Sequence, residues 1–424
     1  MDLTLDIATK PLSGTLSLAG DKSLAHRAAL FAALAEGTSS VSNYPDSGVT
    51  RAMRRALATL GVPSTLEDGI LRIEGRGYKP FSPSGTADCG NSGTTIRLLA
   101  GAIAGTRSSA ILDGSAGLRK RPMDRIAEPL AQMGAKVTTA AGCAPLAFAP
   151  AQTLAPLSYA LPVASAQVKS CLILAALGAS GISHISEPGP SRDHTELMLR
   201  SMGAHIVSRR LEVEVHPLSR PLAPLSGTLP GDISSAAFLF VAAAIVPGSC
   251  VTVANLGVNP TRTGILDVLS AMGCTVICAN RRKVFGEDVA DVTVSSPATL
   301  RAVEISGDLV VRSIDEFPAI AAAAAFATGV TTVRDAKELR YKESDRISAI
   351  CRNLAALGAE VAELDDGFTI AGLTISGGTA KAGGDHRLAM SMALTGLRVH
   401  TTVQDAEILA ESFPGFAQTI DSLR

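Results

Sequence analysis

The chain of 424 residues repeats one pattern six times. In each copy a polar cluster precedes a helix-like run of small apolar residues, and in five copies a second helix-like run ends in a stop such as LATLGV or LAALGA. Self-similarity with a period of about 70 residues is typical of repeat architectures. The apolar runs begin at Ala25, Thr94, Val168, Ala236, Pro318 and Leu388, and the stops contain Gly61, Gly134, Gly203, Gly273 and Gly358.

Each repeat combines two helices with several short strands. The apolar spacing changes from helical to alternating in segments such as SAILDG and LEVEVH, which predicts strands there. The first helices have almost no polar face, and a helix can sustain that only when it is buried on nearly all sides. We therefore expect an α/β fold in which three such helices form each domain interior and the sheets lie outside.

The length of the chain predicts two domains, because a single core seldom keeps growing beyond about 300 residues. A Pro-rich linker, PLSRPLAPLSGTLPGD, separates the third repeat from the fourth, and a linker of this composition favours a domain boundary. The boundary is expected at residues 229–232. Such a boundary divides the six repeats into two groups of three.

Composition excludes several functions. Lys and Arg number 38 against 39 Asp and Glu, so the net charge of −1 provides no field for nucleic acid or membrane surfaces. Aromatic residues are 4% without a Trp, which leaves no platform for stacking bases. The seven cysteines form no CxxC pair, which favours a reducing compartment. With no leader pattern and no apolar run long enough for a bilayer, we expect a cytoplasmic protein.

Polar residues stand at the start of every buried helix. The simplest interpretation is N-capping by Ser, Asn and Asp. Capping does not explain Lys22, Arg27 or Arg387, because a cation at a helix N-terminus opposes the helix dipole. A bound anion removes that conflict, since cations and helix N-termini together form phosphate or carboxylate sites. We therefore interpret these three residues as anion contacts.

Further charged residues cluster before the second helices. Arg121 ends the basic segment LRKR and directly precedes a proline at a predicted helix start, and Arg192 takes the matching place in PSRDHTE. Asp315 in SIDEFP and Glu343 in YKESDR stand out as carboxylates among cations. Such a pair suits acid and base roles if its two environments hold the pKa values apart. Capping or ion pairing explains each of the two equally well at this point.

Several common catalytic motifs are missing from the sequence. The chain contains no GxxxxGK[ST], no GxGxxG after a strand, no HExxH and no GxSxG, so nucleotide cradling, zinc proteolysis and esterase chemistry have no support. The seven histidines show no metal-ligand spacing. We expect neither a metal ion nor another cofactor.

These segments together resemble 5-enolpyruvylshikimate-3-phosphate synthase along essentially the whole chain. The matching segments are GDKSLAHRAALFAAL, CGNSGTTIRLLAG, RKRPM, ASAQVKS, PGDISSAAF, IDEFP, YKESDR, GGDHRLAM and SFPGF. The resemblance implies the enolpyruvyl transferase fold, a two-domain inside-out α/β barrel with three βαβαββ units per domain and the helix starts at an interdomain cleft. It also implies one domain from residues 1–20 plus 231–424, another from residues 21–230, and hinges near residues 20 and 230.

The same resemblance implies a reaction and its site. The enolpyruvyl group of phosphoenolpyruvate moves to the 5-hydroxyl of shikimate 3-phosphate by addition and then elimination of phosphate. Asp315 would accept the hydroxyl proton, Glu343 would protonate the methylene carbon, and Lys22 would assist the leaving phosphate. The implied shikimate 3-phosphate contacts are Lys22, Ser23, Arg27, Ser165, Ala166, Gln167, Arg192, Asp315 and Lys342. The implied phosphoenolpyruvate contacts are Lys22, Gly93, Arg121, Gln167, Arg346 and Arg387.

An ordinary Glu has a pKa of about 4.3, so Glu343 needs a raised pKa, or a proton gained in the complex, to act as an acid. Three positions also depart from the common family pattern. Ala166 replaces a second serine, and Glu411 stands where many members have a lysine against the phosphoenolpyruvate phosphate. Gly93 resembles glyphosate-sensitive members, whereas Ala166 and Arg192 resemble tolerant ones, so the sequence points in both directions on this inhibitor.

Two other functions compete with this one. The sister transferase that acts on UDP-N-acetylglucosamine has the same architecture, but its motif pairs the first lysine with asparagine and carries a reactive cysteine before the RP segment. Here Ser23 follows Lys22, and residues 113–121 contain no cysteine. A non-catalytic phosphometabolite-binding protein would not need both Asp315 and Glu343. We expect a monomer that binds two small anionic substrates.

Overall fold

A computed structural model describes the entire chain, residues 1–424, and contains 13 α-helices. The helices are α1 (Lys22–Leu34), α2 (Gly48–Thr59), α3 (Gly93–Gly105), α4 (Asp124–Gln132), α5 (Ala166–Ala176), α6 (His194–Ser201), α7 (Ile233–Ile245), α8 (Gly264–Ala271), α9 (Asp308–Arg312), α10 (Phe317–Ala324), α11 (Arg346–Ala356), α12 (His386–Thr395) and α13 (Phe416–Asp421). Short 3-10 helices cover Leu118–Lys120, Lys337–Tyr341 and Ala406–Glu411. None of the helices combines the length and the apolar character that crossing a bilayer requires.

The chain also forms 23 strands, most of them short. They are β1 (Leu3–Thr4), β2 (Ser13–Ser17), β3 (Glu36–Ser42), β4 (Ser64–Glu67), β5 (Ile70–Arg76), β6 (Thr86–Asp88), β7 (Ala110–Asp113), β8 (Lys136–Ala140), β9 (Cys143–Ala149), β10 (Ser158–Ala160), β11 (Ser183–Ser186), β12 (Ile206–Arg209), β13 (Glu212–Val215), β14 (Ser226–Thr228), β15 (Cys250–Gly257), β16 (Thr275–Val284), β17 (Glu287–Ser295), β18 (Glu304–Ile305), β19 (Val330–Val333), β20 (Glu360–Leu364), β21 (Gly367–Ala371), β22 (Gly378–Lys381) and β23 (Thr401–Gln404).

The chain divides into two compact units, and neither unit is one continuous segment. Unit 1 consists of Met1–Leu18, Gly231–Arg282 and Asp288–Arg424. Unit 2 consists of Ala19–Pro230 together with Lys283–Glu287, the tip of the β16–β17 hairpin. No pattern in the sequence predicts that the hairpin tip groups with unit 2.

Six small sheets correspond to the six repeats, three in each unit. Unit 2 contains the sheets β14-β3-β5-β4, β6-β7-β9-β8 and β10-β11-β13-β12, and unit 1 contains β2-β15-β17-β16, β18-β19-β21-β20 and β22-β23-β1. Each four-stranded sheet joins one parallel pair of strands to antiparallel neighbours, as in β6-β7 and β7-β9. The predicted α/β fold with six repeats is confirmed.

Two strands are exchanged between the repeats that begin the two units. β2 precedes α1 in the chain but pairs in parallel with β15, from Cys250↔Ser13 to Ala254↔Ser17. β14 precedes α7 but pairs in parallel with β3, from Ser226↔Ser40 to Thr228↔Ser42. Each exchanged strand lies just before a point where the chain passes from one unit to the other. β2 therefore completes a sheet whose other strands come more than 200 residues later in the chain.

The recurrent stops end the second helix of five repeats with a glycine of positive φ. In this left-handed conformation a side chain is strained, and Gly adopts it at little cost just after a helix. The five glycines are Gly61 (φ +87°), Gly134 (φ +92°), Gly203 (φ +98°), Gly273 (φ +103°) and Gly358 (φ +84°). The repeated LG and MG steps therefore encode the same turn from helix to strand.

The first helix of every repeat is buried, as its composition predicts. In α1 only the first two residues, Lys22 and Ser23, retain partial exposure, and in α7 only Ser235 does. Close packing of helix on helix explains the small residues. In unit 2 a Cβ atom added to Gly101 of α3 would lie 2.2 Å from the carbonyl oxygen of Cys171 in α5. These helices therefore approach more closely than any side chain at residue 101 permits.

We predict that Gly101→Ala destabilises the protein by about 3 kcal/mol, because the new methyl group meets rigid backbone. Gly48→Ala is the matched control: it also lies in a helix, and its Cβ would meet nothing within 4 Å. The control is expected to be neutral or to stabilise by about 0.5 kcal/mol through helix propensity. Thermal unfolding midpoints measure both effects, and equal midpoints for the two variants would contradict close packing at Gly101.

Candidate active site

Side-chain caps close the N-termini of five of the six buried first helices. Asp21 caps α1, Ser92 caps α3 and Ser165 caps α5, while Asp232 caps α7 and Asp385 caps α12. In each case a side-chain oxygen accepts a hydrogen bond from a backbone N–H two or three residues later. The capping interpretation therefore holds for these acceptors, and it leaves the neighbouring cations to be explained separately.

The starts of α1 and α3 are joined by a buried histidine in unit 2. The Nδ1–H of His26 donates to the carbonyl oxygen of Lys22 over 2.6 Å, and the Ser92 hydroxyl donates to Nε2 over 3.2 Å. Burial lowers the pKa of His26 to about 4, so the ring is neutral near pH 7 and keeps this donor and acceptor arrangement. His26 thus fixes the first turn of α1, which carries Lys22 and Ser23.

Arg27 is also buried, but its partners are neutral. Its Nε donates to the Thr195 hydroxyl over 2.8 Å and its Nη2 to the Ser170 hydroxyl over 3.0 Å, while Nη1 donates to the carbonyl of Ser23 over 3.0 Å. Burial lowers the pKa of Arg27 to about 10. The cation stays charged near pH 7 without a direct carboxylate partner, and it ties α1 to α5 and α6.

Gly93, Arg121 and Gln167, three predicted phosphoenolpyruvate contacts, come together in unit 2. A Cβ atom on Gly93 would lie 3.0 Å from Arg121 Nη1 and 3.7 Å from Gln167 Oε1. The amide of Gln167 is held at both ends, because Nε2 donates to the Thr94 hydroxyl over 3.0 Å and Oε1 accepts from Arg97. The missing side chain at Gly93 leaves room for these groups at the start of α3.

The sequence analysis missed Arg97. Besides Gln167, this arginine contacts the carbonyl of Pro122 over 3.2 Å, and burial together with the nearby charges of Arg121 and Arg125 lowers its pKa to about 10. None of these three arginines has a carboxylate within ion-pair distance, so the cluster carries uncompensated positive charge. A signal existed, since Arg97 lies one turn inside an apolar helix, the same position that marks Arg27 in α1.

A buried ion cluster holds the segment that carries Arg192. Lys169 of α5 lies 2.7 Å from Glu187 and 3.0 Å from Glu196, and all three side chains are almost wholly buried. Burial raises the pKa of Glu196, and Lys169 opposes that effect. The cluster connects residues 187–196, with the half-buried Arg192, to the helix whose start carries Ser165, Ala166 and Gln167.

Unit 1 gathers the remaining predicted residues around one arginine. Arg346, which is 1% exposed, lies 2.7 Å from Glu343 Oε2 and 2.8 Å from Asp385 Oδ2 through Nη2 and Nε, and its Nη1 lies 3.6 Å from Asp315 Oδ1. Lys342 Nζ is 3.4 Å from the same Asp315 oxygen. Arg387 Nη1 donates to the main-chain carbonyl of Asp315 over 3.0 Å. The predicted acid and base therefore share a single cationic partner.

The charges in this cluster set the protonation states. Desolvation would raise the pKa of Glu343, but this side chain is still 37% exposed, and the Arg346 guanidinium together with a backbone hydrogen bond holds that pKa below its usual value. The same guanidinium overcomes the effect of burial on Asp385 and lowers its pKa to about 2. Glu343 is therefore ionised near pH 7 in the unliganded protein. To act as an acid, Glu343 needs either a raised pKa in the free protein or a proton gained in the complex. Because its pKa is lowered in the free protein, the second route is the one that remains.

The predicted site residues divide between the two units. Unit 1 contains Asp315, Lys342, Glu343, Arg346 and Arg387; unit 2 contains Lys22, Ser23, Arg27, Gly93, Arg121, Ser165, Ala166, Gln167 and Arg192. Glu411, which replaces a lysine of the family pattern, is exposed at the end of the 3-10 helix Ala406–Glu411.

This combination of repeats, cations and carboxylates matches a known family. Residues 7–420 match the family model of EPSP synthase (3-phosphoshikimate 1-carboxyvinyltransferase). The chain belongs to the EPSP synthase family. A 3-phosphoshikimate 1-carboxyvinyltransferase of Syntrophomonas wolfei subsp. wolfei is 44% identical over 99% of both chains. EPSP synthases are transferases of the shikimate pathway, and the expectation that this chain is such an enzyme is confirmed.

Solved structures agree with this assignment. The EPSP synthase from Acinetobacter baumannii has a TM-score of 0.91 and 37% identity, and the match covers 100% of this chain and 98% of that one. The enolpyruvyl transferase NikO from Streptomyces tendae has a TM-score of 0.76 at 20% identity, covering 100% and 97% of the two chains, and shows the shared fold. The predicted enolpyruvyl transferase fold is confirmed.

The Arg346–Asp385 pair predicts a specific pH dependence of stability. A carboxyl group whose folded pKa is near 2 against 3.8 unfolded stabilises the folded state above pH 4, by about 2 kcal/mol, and loses this contribution as the pH falls toward 2. Asp385→Asn keeps a good helix cap but lacks the charge. The variant should therefore be less stable at pH 7 and approach the unchanged protein near pH 2, as measured by unfolding midpoints. A constant difference across that pH range would contradict the pairing.

Proposed function

We propose that this chain transfers the enolpyruvyl group of phosphoenolpyruvate to the 5-hydroxyl of shikimate 3-phosphate and releases phosphate. The observation that carries the proposal is the position of Arg346, which contacts both Asp315 and Glu343. A base for the hydroxyl and an acid for the methylene carbon are thereby held beside a cation suited to a substrate carboxylate. Membership of the EPSP synthase family supports the same reaction.

The cations divide between the two polyanionic substrates. Shikimate 3-phosphate is proposed to contact Lys22, Ser23, Arg27, Ser165, Ala166, Gln167, Arg192, Asp315 and Lys342. Phosphoenolpyruvate is proposed to contact Lys22, Gly93, Arg121, Gln167, Arg346 and Arg387. Uncompensated positive charge at Arg97, Arg121 and Arg125 supports this, because anions bind most strongly where no protein carboxylate already neutralises the cation. Ala166 has no hydroxyl group, so this residue can form a hydrogen bond with a ligand only through its backbone.

The addition step uses the two carboxyl groups in opposite senses. Asp315 takes the proton of the 5-hydroxyl while the hydroxyl oxygen forms a bond to C2 of phosphoenolpyruvate. Glu343 gives a proton to C3, which becomes a methyl group. In the elimination the bond from C2 to the phosphate oxygen breaks and the methyl group returns a proton to Glu343. Lys22 stabilises the departing phosphate by its charge, and the phosphate takes up the proton that Asp315 accepted, so that Asp315 is ionised again. The products are the enolpyruvyl ether and inorganic phosphate.

Substrate binding raises the pKa of Glu343, so that the carboxylate takes up the needed proton from water. A phosphoenolpyruvate carboxylate at Arg346 brings negative charge close to Glu343 and competes for the guanidinium that holds its pKa down. Both effects raise the pKa of Glu343, as does the exclusion of water from a filled site. Glu343 thus changes from an ionised side chain in the free protein to a proton donor in the complex.

Turnover tests the proposal directly. Purified protein with shikimate 3-phosphate and phosphoenolpyruvate should release phosphate, and Glu343→Gln should lower kcat by about a hundredfold or more, within the range for loss of a general acid. The exposed Glu360→Gln serves as a control without effect. Full activity of Glu343→Gln would remove that residue from its role. Turnover of phosphoenolpyruvate with UDP-N-acetylglucosamine but not with shikimate 3-phosphate would favour the sister transferase. Binding of shikimate 3-phosphate and phosphoenolpyruvate without turnover would favour a non-catalytic protein.

Gly93→Ala should separate affinity from stability. The added methyl group would lie 2.9 Å from Arg97 Nη1 and 3.0 Å from Arg121 Nη1. Because both atoms end flexible side chains, they can move, and the unfolding midpoint should change little. If the two arginines are displaced in this way, KM for phosphoenolpyruvate should rise by about tenfold, which is equivalent to the loss of one hydrogen bond. An unchanged KM for phosphoenolpyruvate would place that site elsewhere.

A further inference from the structure

Glu316 is a buried carboxylate with no role in the proposed reaction. It stands at the N-cap position of α10, next to Asp315, and is 1% exposed. Unlike the caps of the other five first helices, its side chain accepts no hydrogen bond from a backbone N–H of its helix. Capping therefore does not explain why a charged group occupies this buried position, where an unpaired charge would be costly.

The carboxylate instead joins the starts of two other helices of unit 1. The Ser234 hydroxyl at the start of α7 donates to Glu316 Oε1, and the same oxygen lies 3.8 Å from Nη1 of Arg387 at the start of α12. Ser234 accepts in turn from Arg262 Nη2 over 2.8 Å, and that nitrogen also donates to Asp232 over 3.0 Å. Ser234 thus fixes the same Glu316 oxygen that faces Arg387.

The contacts of Arg387 are one-sided. Its Nη1 donates to the carbonyl of Asp315 over 3.0 Å and faces the Glu316 carboxylate. Its Nε and Nη2 make no hydrogen bond or ion pair with the protein, and both retain some access to solvent. Nε and Nη2 form the edge of a guanidinium that binds carboxylate or phosphate through two parallel hydrogen bonds. The protein therefore occupies one end of Arg387 and leaves the bidentate edge open.

We propose that Glu316, held by Ser234, is a positioning residue that fixes Arg387 through Nη1 so that its Nε–Nη2 edge receives an oxyanion of phosphoenolpyruvate. This inference rests on the proposed function. The contact restricts a long side chain before the substrate arrives, so less conformational entropy is lost on binding. Because Arg387 Nη1 also bonds the Asp315 carbonyl, the same contact sets the place of the bound substrate relative to the base.

The proposal makes a prediction opposite in sign to that of simple electrostatics. Glu316 carries a negative charge near an anion site, so removing that charge would by itself strengthen substrate binding. Glu316→Gln keeps the volume and an acceptor for Ser234 but loses the charged contact to Arg387. If positioning dominates, KM for phosphoenolpyruvate rises, by about tenfold, whereas KM for shikimate 3-phosphate changes little. If the charge merely competes with the substrate, KM for phosphoenolpyruvate falls.

Steady-state kinetics with each substrate varied in turn tests the proposal. Ser234→Ala, which keeps the charge but removes the hydroxyl that holds it, should raise KM for phosphoenolpyruvate in the same direction by a smaller factor. The exposed Glu304→Gln is the matched control and should leave both KM values unchanged. In the Arg387→Lys background Glu316→Gln should add little, since its effect acts through the arginine.

Each outcome decides the matter. A lowered or unchanged KM for phosphoenolpyruvate in Glu316→Gln overturns the proposal. Equal increases of both KM values, or additive losses with Arg387→Lys, indicate general structural support and overturn it as well. Should Glu316→Gln fail to fold, the KM of Ser234→Ala decides in the same way. Absence of turnover by the unchanged protein would refute the proposed function, whereas normal turnover with an insensitive Glu316→Gln would refute only the positioning role.

Discussion

A helix with no polar face can offer a ligand only its ends. Six helices of this chain are buried along nearly their whole length, three in each unit, so their apolar sides are used up by packing. The charged side chains that these helices contribute to the candidate site, such as Lys22, Arg27 and Arg387, therefore lie at a helix start or about one turn inside it. Burial thus determines which part of each helix can contact a substrate. Within a unit, the packing that fills the interior also brings helix starts together, as Ser234, Glu316 and Arg387 show.

The arginines of the candidate site have different partners in the two units. In unit 1 the arginines at the helix starts face carboxylates: Arg346 contacts Asp385 and Glu343, and Arg387 contacts Glu316. In unit 2 Arg27 contacts hydroxyls, and Arg97 contacts an amide and a carbonyl. A cation that bonds only to neutral groups keeps its full attraction for an anion. The unit 1 arginines therefore belong to a network of opposite charges, whereas the proposed role of the unit 2 arginines is to attract the phosphate groups of the substrates.

Protonation links these charges to the reaction. In the free protein the Arg346 guanidinium helps to hold the pKa of the partly exposed Glu343 below its usual value, so this carboxyl is ionised near pH 7. In the proposed mechanism a substrate carboxylate at the same guanidinium reverses the balance, so that Glu343 becomes a proton donor only when the substrate binds. The charged network is stable without substrate because every member has a partner, and it remains responsive because one of those partners is shared with the ligand.

Departures from local rules selected part of the candidate site, and the family resemblance implied most of the rest. Lys22, Arg27 and Arg387 oppose the helix dipole, and Asp315 and Glu343 stand among cations, which was sufficient to select them. Arg97 breaks the same rule but was overlooked inside an apolar run. No pattern in the sequence marks Glu316, since nothing near it indicates that Ser234, 82 residues earlier, donates to its carboxylate.

The sequence by itself determined the number of repeats, the burial of their first helices and the turns that end the second ones, because these depend on spacing, composition and glycine at single positions. Only the tertiary structure decided that β2 and β14 exchange sheets, that Arg97 holds Gln167, and that the pKa of Glu343 is lowered in the free protein. Strand pairing and electrostatic shifts depend on distances between groups far apart in the chain. Those distances exist only once the helices have packed.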